Sequence, residues 1–457
     1  MMVFRGILLK NFLIVYGGSQ WLRSHFSQAG LLILTLAVAG ATFGLDTRQT
    51  LAFQIFAFSG SLLLLAILIT LPSRGKFSFK RILPEYGTVG QILHYRIDIT
   101  NQLQVPQHNL ILLDQLRYSL PGVSEFSTWT DSRDKSRNLF DRVIGYPRLV
   151  NLIRKKRGAD VQPVIIDQVQ GNQTRSVTLE MCPLRRGYIE FGITCIGKHD
   201  PFGLFRKLFR YRTPDRLLVL PKCYKLPRIP LGGSRKYHRG GLNLASSVGD
   251  SEEFMSLREY RPGDSVRSIH WRSYAKRGEP ITKEYQDEYF ARLGLVLDTC
   301  APGRTGNLFE DTVSIAASVI AGYDQQDALL DLLFVHDRAY RLTSGRGLAD
   351  MRSMLEVLAC VDRTEEDNFL QLSELVLSHA GETSGLILIT QIWDRQRVEL
   401  VRKFVQFNIP LQVILICTPG NSPDLHDSLS LNPESIWVLE SGSLEQSIAG
   451  LWEKGNV

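Results

Sequence analysis

The sequence predicts a multi-domain membrane protein. Two N-terminal transmembrane helices are followed by an antiparallel β-sandwich, and then by an α/β domain with a mostly parallel sheet covered by helices on both faces. Three observations predict this fold class. Two uncharged apolar stretches lie near the N-terminus, Ala29–Leu45 and Thr50–Leu71. Short segments of alternating polarity follow them, as is typical of sandwiches. Beyond Arg292, short apolar strands alternate with helical segments, as in sheets with helices on both faces.

The apolar stretches predict a helical hairpin over residues 29–71, after a leader over residues 1–28. A helix that crosses about 30 Å of hydrocarbon needs roughly 20 residues, which the second stretch provides and the first approaches. A signal peptide is the alternative for the first stretch, but the second stretch follows almost at once.

Cations on both sides of the hairpin predict its orientation in the membrane. They are Arg5, Lys10, Arg23, Arg74, Lys76, Lys80 and Arg81. The positive-inside rule therefore predicts an inner-membrane, multi-pass protein with N- and C-termini in the cytoplasm. The six cysteines include no CxxC pair, which argues against a zinc ribbon and agrees with a reducing compartment.

Residues 72–226 are predicted to form the sandwich, and a basic insertion over residues 127–162 interrupts it. Nine cations and four acids between Asp131 and Asp160 supply 9 − 4 = +5 of the net charge of +7. Because the excess is confined to one window, nucleic acid is not expected as a partner. The insertion could lie as a basic amphipathic segment on the anionic leaflet of the bilayer, or form a solvated loop or a helix packed on the sandwich. The candidate membrane-surface residues are Arg148, Arg154, Lys155, Lys156 and Arg157.

Residues 227–291 are predicted to contain a linker and a dense motif, REYRPGDSVRSIHW. Pro262 and Gly263 predict a turn, and Asp264 is then placed to cap a short helix. Between Arg258 and Glu288 the sequence has seven cations and six acids. This near balance favours a set of Arg–carboxylate pairs. We expect Trp271 to fill a pocket between this motif and the α/β domain.

The same motif has three possible roles: a structural clasp, a partner-docking surface, and a catalytic site. Arg and Trp are frequent in binding hot spots, so docking and clasping are compatible. The signature or docking residues are Arg258, Glu259, Tyr260, Pro262, Gly263, Asp264, Arg267, Trp271 and Lys283. In the catalytic alternative, His270 is a general base oriented by Glu284 or Asp287. The sequence has neither a GxSxG nor a GxxxxGK[ST] motif, so no enzymatic activity and no cofactor are expected.

The stretch LREYRPGDSVRSIHWRSYAKRGEPITKEY, Leu257–Tyr285, resembles the signature of the bacterial domain of unknown function fifty-eight family. RRGYIEFG, Arg185–Gly192, and DPFGLF, Asp200–Phe205, are similar to that family's sandwich region. The resemblance implies a membrane-anchored protein with an immunoglobulin-like sandwich and a von Willebrand factor A-like domain over residues 292–457. It also implies a role beside a MoxR-type AAA+ ATPase, and it implies no reaction.

A von Willebrand A-like domain implies a possible Mg²⁺ site after the first strand of the sheet. Here that strand is followed by DTCAP, in which Cys300 and Pro302 stand where the hydroxyls are expected, and Thr390 and Gln391 stand where Thr-Asp is expected. Asp298 is therefore a weak candidate ligand, and no metal is predicted. The predicted function is a non-enzymatic scaffold or adaptor for protein–protein interaction. The alternatives are a divalent-cation-dependent receptor and, less favoured, a hydrolase that uses His270.

Overall fold

The computed structural model divides into two compact units, Met1–Lys222 and Cys223–Val457, close to the predicted boundary at residue 226. The residues that the structure describes are 2–44, 50–129, 145–229, 231, 237–238, 254–285, 289–300, 306–323, 328–345, 351–364, 368–420 and 435–455. Each unit is considered by itself below.

The first unit opens with three helices. They are α1 (Met2–His25), α2 (Gln28–Gly44) and α3 (Thr50–Thr70). α1 occupies the segment for which only a leader was predicted. Within the described residues, one helix is long and apolar enough to cross a membrane, Leu51–Thr70, and the apolar part of α2 is shorter. Because Gly40 has no side chain, α2 approaches the backbone of Phe56 on α3, only 3.1 Å from where a Cβ would stand.

Among its described residues, the rest of the first unit has two sheets and two short helices. The strands are β1 (Phe77–Ile82), β2 (Tyr86–Thr88), β3 (Leu93–Asn101), β4 (Gln107–Arg117), β5 (Ala159–Val161), β6 (Val164–Val169), β7 (Thr174–Pro183), β8 (Gly187–His199) and β9 (Arg206–Leu220). One sheet has the order β1-β3-β7-β5, and the other has the order β2-β9-β8-β4-β6. The helices α4 (Val123–Thr128) and α5 (Tyr146–Arg157) lie between β4 and β5.

A shared apolar core joins the two sheets. Tyr95, Ile97 and Ile99 on β3 are buried, as the alternation of polarity on this strand predicts. They belong to the same cluster as Leu112 of β4 and Phe191 of β8, which lie in the other sheet. The first unit is therefore β-rich, with two sheets that share a core as a sandwich requires, although β2 pairs with β9 in parallel and not antiparallel as predicted.

The second unit is an α/β structure. Its strands are β10 (Tyr237–His238), β11 (Phe254–Glu259), β12 (Ile281–Tyr285), β13 (Tyr289–Leu297), β14 (Ala328–Val335), β15 (Ala339–Ser344), β16 (Gly385–Thr390), β17 (Leu411–Cys417) and β18 (Ile436–Glu440). Its helices are α6 (Trp271–Arg277), α7 (Gly306–Tyr323), α8 (Met351–Cys360), α9 (Phe369–Ser378), α10 (Arg395–Gln406) and α11 (Leu444–Gly455). Its main sheet is mixed, with the order β15-β14-β13-β16-β17-β18.

Helices cover both faces of this sheet. The pairs β13–β14, β13–β16, β16–β17 and β17–β18 are parallel, whereas β15 is antiparallel to β14. Leu295 belongs to an apolar cluster that includes Val313 of α7, while the next residue, Val296, belongs to a second cluster with Phe404 of α10. A strand that is apolar on both sides in this way is typical of a covered parallel sheet.

Candidate functional site

The signature, Leu257–Tyr285, forms a small structure of its own. Its strands β11 and β12 make a separate two-stranded antiparallel sheet, in which Leu257 lies opposite Lys283. The chain between them makes the predicted turn, since the Asp264 N–H donates to the Arg261 carbonyl at 3.0 Å. Gly263 has φ +111°, a conformation that glycine adopts readily and other residues rarely do. The turn is therefore where the Pro262–Gly263 pair predicts it.

An ion pair between Arg258 and Asp264 ties this turn to β11. The guanidinium donates to both carboxylate oxygens, at 2.7 and 2.8 Å, and the N–H of Arg261 donates to the same carboxylate. These donors stabilise the ionised form and lower the pKa of Asp264 to about 2. Asp264 therefore fixes the base of the turn.

Two expectations for the motif are wrong. Asp264 does not cap a helix, because a 3-10 turn at Val266–Ser268 comes first and α6 begins only at Trp271. The continuous helix that would have put Arg267 and Trp271 on one face is thus interrupted. Trp271 does not fill a pocket, since 59% of its surface is exposed.

The signature instead presents an exposed surface that is both apolar and basic. Val266 is 61% exposed and Tyr274 is 41% exposed, with its ring 6.1 Å from that of Trp271. Cations outnumber acids among the exposed side chains between Leu257 and Lys283: Arg261, Arg267, Arg272, Lys276 and Arg277 against Glu259 and Glu279. Glu284, Asp287 and Glu288, which nearly balance the charge of the whole motif, lie beyond this range. We call this surface, together with Val266, Trp271 and Tyr274, the signature face.

The surroundings of His270 do not match the arrangement expected of a general base in a hydrolase. Its Nδ1 lies 2.6 Å from the hydroxyl of Ser273, three residues later, and its backbone N–H donates to the Ile281 carbonyl. Such an i, i+3 contact is local and common at helix starts. Of the two acids proposed to orient the ring, Glu284 lies in β12 opposite Ser256, and Asp287 is outside the described residues.

At the end of β13, the candidate metal ligand Asp298 is already occupied by protein donors. Its carboxylate accepts from Thr390 Oγ1 at 2.8 Å, from Arg397 Nε at 3.1 Å and from the Cys300 N–H at 3.1 Å. Burial raises the pKa of the Asp298 carboxyl, and Arg397 opposes that effect. No group of three or more His, Cys, Asp or Glu suited to a metal occurs among the described residues.

Arg397 provides the positive charge at this position. It is fully buried, donates to Asp394 at 2.7 Å, and stacks its guanidinium over the ring of Phe369 at 4.0 Å. Asp394 caps α10 by accepting from the Arg397 N–H. Arg397 is a site residue that the sequence did not predict. The N-cap signal of Asp394 in front of a helical pattern could have placed Arg397 one turn into that helix.

The apolar side of the basic insertion is buried inside the protein. Leu149 and Ile153 on α5 pack with Leu9 of α1 and Phe126 of α4. Each of the five candidate cations, Arg148, Arg154, Lys155, Lys156 and Arg157, already has a partner in the protein, such as Asp160 for Arg154 and Arg157. The interpretation of this segment as a free amphipathic helix on the leaflet is thus wrong for α5, which is a packed helix. Residues 130–144 of the insertion lie outside the described residues.

A turn over residues 200–205 joins the helices to the sandwich. The carboxylate of Asp200 accepts from the N–H groups of Phe202, Leu204 and Phe205 at 2.7 to 2.9 Å. The Leu204 carbonyl in turn accepts from the Ser27 N–H at 3.0 Å. The turn thereby contacts the start of α2. An Asp followed by Pro and Gly predicts such a turn, although not what it touches.

The two residues after this turn bind the ends of two further helices. Arg206 donates to the carbonyl groups of Arg23 and Phe26 at the end of α1, at 3.2 and 2.9 Å. Lys207 donates to the Leu71 and Ser73 carbonyls just after α3. Cations at helix C-termini satisfy carbonyl groups that lack partners within the helix. We call residues 200–207 the joint.

Part of the second unit is similar to a known protein family. Residues 256–391 match the family model described as "Protein of unknown function DUF58", which supports the resemblance over this segment. Uncharacterized protein YeaD of Bacillus subtilis (strain 168) is 26% identical over 165 residues, or 36% of this chain and 39% of that protein. The chain thus spans about two fifths of the length of this relative.

Solved structures resemble the chain only weakly. The ASH/PapD-like domain of human CEP192 is 11% identical and covers 32% of this chain and 92% of its own, with a TM-score of 0.19. AggA, the major fimbrial subunit from Escherichia coli, is 8% identical, with coverages of 33% and 98% and a TM-score of 0.17.

Proposed function

We propose that this chain is a membrane-anchored, non-enzymatic adaptor that binds another protein through the signature face. The exposed Trp271 is the observation that carries this proposal. α6 has no buried residue, so its aromatic side chains do not hold the fold together. Exposed aromatic groups among arginines are typical of binding hot spots, and exposed apolar patches mark interaction sites.

The composition of the signature face indicates its partner. Its exposed cations favour an acidic surface, and Val266, Trp271 and Tyr274 require an apolar recess within it. The Arg258–Asp264 pair holds the turn in place before binding, which reduces the entropy lost on association. The resemblance described above makes a MoxR-type AAA+ ATPase the first candidate for this partner.

The membrane anchor in this proposal is the hairpin of α2 and α3. Both helices expose apolar side chains widely, with Leu32 at 70%, Leu51 at 72% and Phe58 at 71%. Such surfaces are stable in hydrocarbon and costly in water. The flanking cations favour an inner-membrane arrangement with both termini in the cytoplasm. A periplasmic phosphatase reporter fused after Val457 is then expected to be inactive, and an active fusion would reverse the topology.

Affinity capture from detergent-solubilised membranes tests the adaptor role. We expect Trp271→Ala to reduce the recovered MoxR-type ATPase by at least about tenfold, the effect of 1.4 kcal/mol at a hot spot. The matched control is Leu370→Ala, because Leu370 on α9 is 62% exposed and lies outside the signature. Undiminished capture by Trp271→Ala would refute the docking role. Reduced hydrogen-exchange protection of β11 and β12 in that variant would instead show a structural clasp.

A further inference from the structure

We propose that α1 lies in the plane of the membrane interface and places one face, Ile7, Ile14 and Trp21, among the lipid headgroups. The inference rests on the proposed anchoring by α2 and α3. It assigns a lipid contact to a segment for which the sequence indicated only a leader. We call these three residues, with the adjacent Val15, the outer face of α1.

The opposite face of α1 is already used inside the protein. Leu9 is buried against Phe126, Leu149 and Ile153, and Phe12, Leu13 and Tyr16 pack beside it. Burial, with Tyr118 nearby, raises the pKa of Tyr16 to about 12. These α1 residues recur at i, i+3, i+4 and i+7, which places them on one side of a helix. The interior of the first unit therefore needs this side of α1 and leaves the other unused.

The outer face is apolar although it lies on the surface. Ile7 is 58% exposed, Ile14 is 65% exposed and Trp21 is 51% exposed. Their spacing of seven residues aligns them on one stripe, roughly opposite Leu9 and Tyr16. Lys10 is exposed beside the stripe. A helix with an apolar stripe, flanking cations and aromatic side chains is typical of one that lies at the lipid headgroups.

The position of α1 in the chain indicates that lipid covers its outer face. α1 ends at His25 and α2 begins at Gln28, so the end of α1 is held at the level where the hairpin enters the membrane. The joint fixes this connection through the Ser27 N–H and the Arg206 guanidinium. A helix of 24 residues, about 36 Å long, then extends from the membrane boundary.

Aromatic side chains gather at the same boundary. The ring of Trp21 stacks on His25 at 4.6 Å, and Phe26 meets Phe205 of the joint at 5.3 Å. Phe202, within the joint, is 48% exposed. Trp and other amphipathic aromatic groups concentrate where membranes meet water. The C-terminal end of α1 therefore has the composition of an interfacial belt.

Fluorescence quenching by brominated lipid tests this inference on the full chain. The protein is reconstituted in vesicles of phosphatidylglycerol and dibrominated phosphatidylcholine, with bromines placed either near the headgroup or near the methyl end of the acyl chain. The hairpin contains no tryptophan, so it contributes no quenching of its own. We expect shallow bromines to quench a component that Trp21→Phe reduces by at least half. Trp271→Phe, at a comparably exposed position in the signature, is the control and is expected to leave that component unchanged.

A second variant distinguishes the loss of the Trp21 fluorophore from misfolding of Trp21→Phe. Adding Ile14→Trp to Trp21→Phe is expected to restore shallow quenching, because position 14 lies on the same stripe. Quenching that is unchanged by Trp21→Phe, or that is stronger with deep bromines, would overturn the in-plane placement. Extraction of the native protein from vesicles by alkaline carbonate would instead show that the anchoring itself is wrong.

Discussion

Replacing Asp298 by Asn tests whether an internal ion pair, rather than a bound cation, holds the carboxyl end of the main sheet. Asp298 is 1% exposed and Arg397 is 0% exposed, so the substitution leaves a guanidinium in the interior with one carboxylate fewer. Removing one partner of a buried pair costs about 3–5 kcal/mol. Because Asp394, whose side chain is 38% exposed, still binds Arg397 in this variant, we expect the loss of stability to lie at the lower end of this range, about 3 kcal/mol.

Hydrogen exchange measures this cost in the detergent-solubilised full chain. Since 1.4 kcal/mol is a factor of ten, about 3 kcal/mol corresponds to a roughly hundredfold loss of protection in peptides from β13 and β16. Asp362→Asn is the matched control, because Asp362 is exposed and surface substitutions change stability by about 0.5 kcal/mol or less.

Two outcomes would refute this reasoning. A loss of protection below tenfold in Asp298→Asn would show that the pair with Arg397 does not support the sheet. A rise in protection of the native chain on adding submillimolar Mg²⁺, absent from Asp298→Asn, would show that Asp298 binds a cation despite its protein donors.

Four further substitutions and treatments have definite expected outcomes. In Arg397→Met, the burial that raises the pKa of Asp298 is no longer opposed, so stability is expected to fall as pH rises above the ordinary carboxyl pKa of about 3.9, and a flat denaturation profile would contradict this. Gly30→Ala puts a Cβ 2.1 Å from the Leu204 carbonyl oxygen and should make the joint more sensitive to proteolysis, whereas Gly60→Ala, with no atom within 4 Å, should not. Because the pKa of Asp264 is lowered to about 2, exchange protection of residues 258–264 should persist at pH 4 and be lost as pH falls towards 2; loss already at pH 5 would exclude the pair with Arg258. The exposed Cys360 should react with maleimide in the folded chain, while burial raises the pKa of Cys195 to about 11 and should keep that thiol unreactive until denaturation.

Local patterns in the sequence predicted the elements whose partners are nearby or uniformly apolar. The alternation on β3 identified Tyr95, Ile97 and Ile99 as inward residues, and the run LQVILIC became a buried strand, β17. The turn at Pro262–Gly263 needed only the backbone preferences of those two residues. These features depend on period and conformation, which a single sequence contains.

Features that depend on distant partners were not predicted. Trp271 was expected to fill a pocket, yet no residue of α6 is buried and 59% of the Trp271 surface is exposed. Arg397 looks like any helix-surface arginine until Asp298, nearly a hundred residues earlier, is brought to it by the sheet. The apolar side of the basic insertion was correctly seen, but nothing in its spacing shows that α1 covers it.

The joint also determines when the first unit can be completed during synthesis. Arg206 binds a carbonyl 180 positions before it, and Lys207 binds one 134 positions before it. Closing loops of this length costs conformational entropy that only later contacts recover. During synthesis, α1, α2 and α3 are therefore complete before Arg206 and Lys207, whose side chains bind the chain at the ends of α1 and α3, have been made. The contacts between the helices and the sandwich therefore form late, after most of the sandwich has been synthesised, and truncation before residue 206 would remove the side chains that bind the ends of α1 and α3.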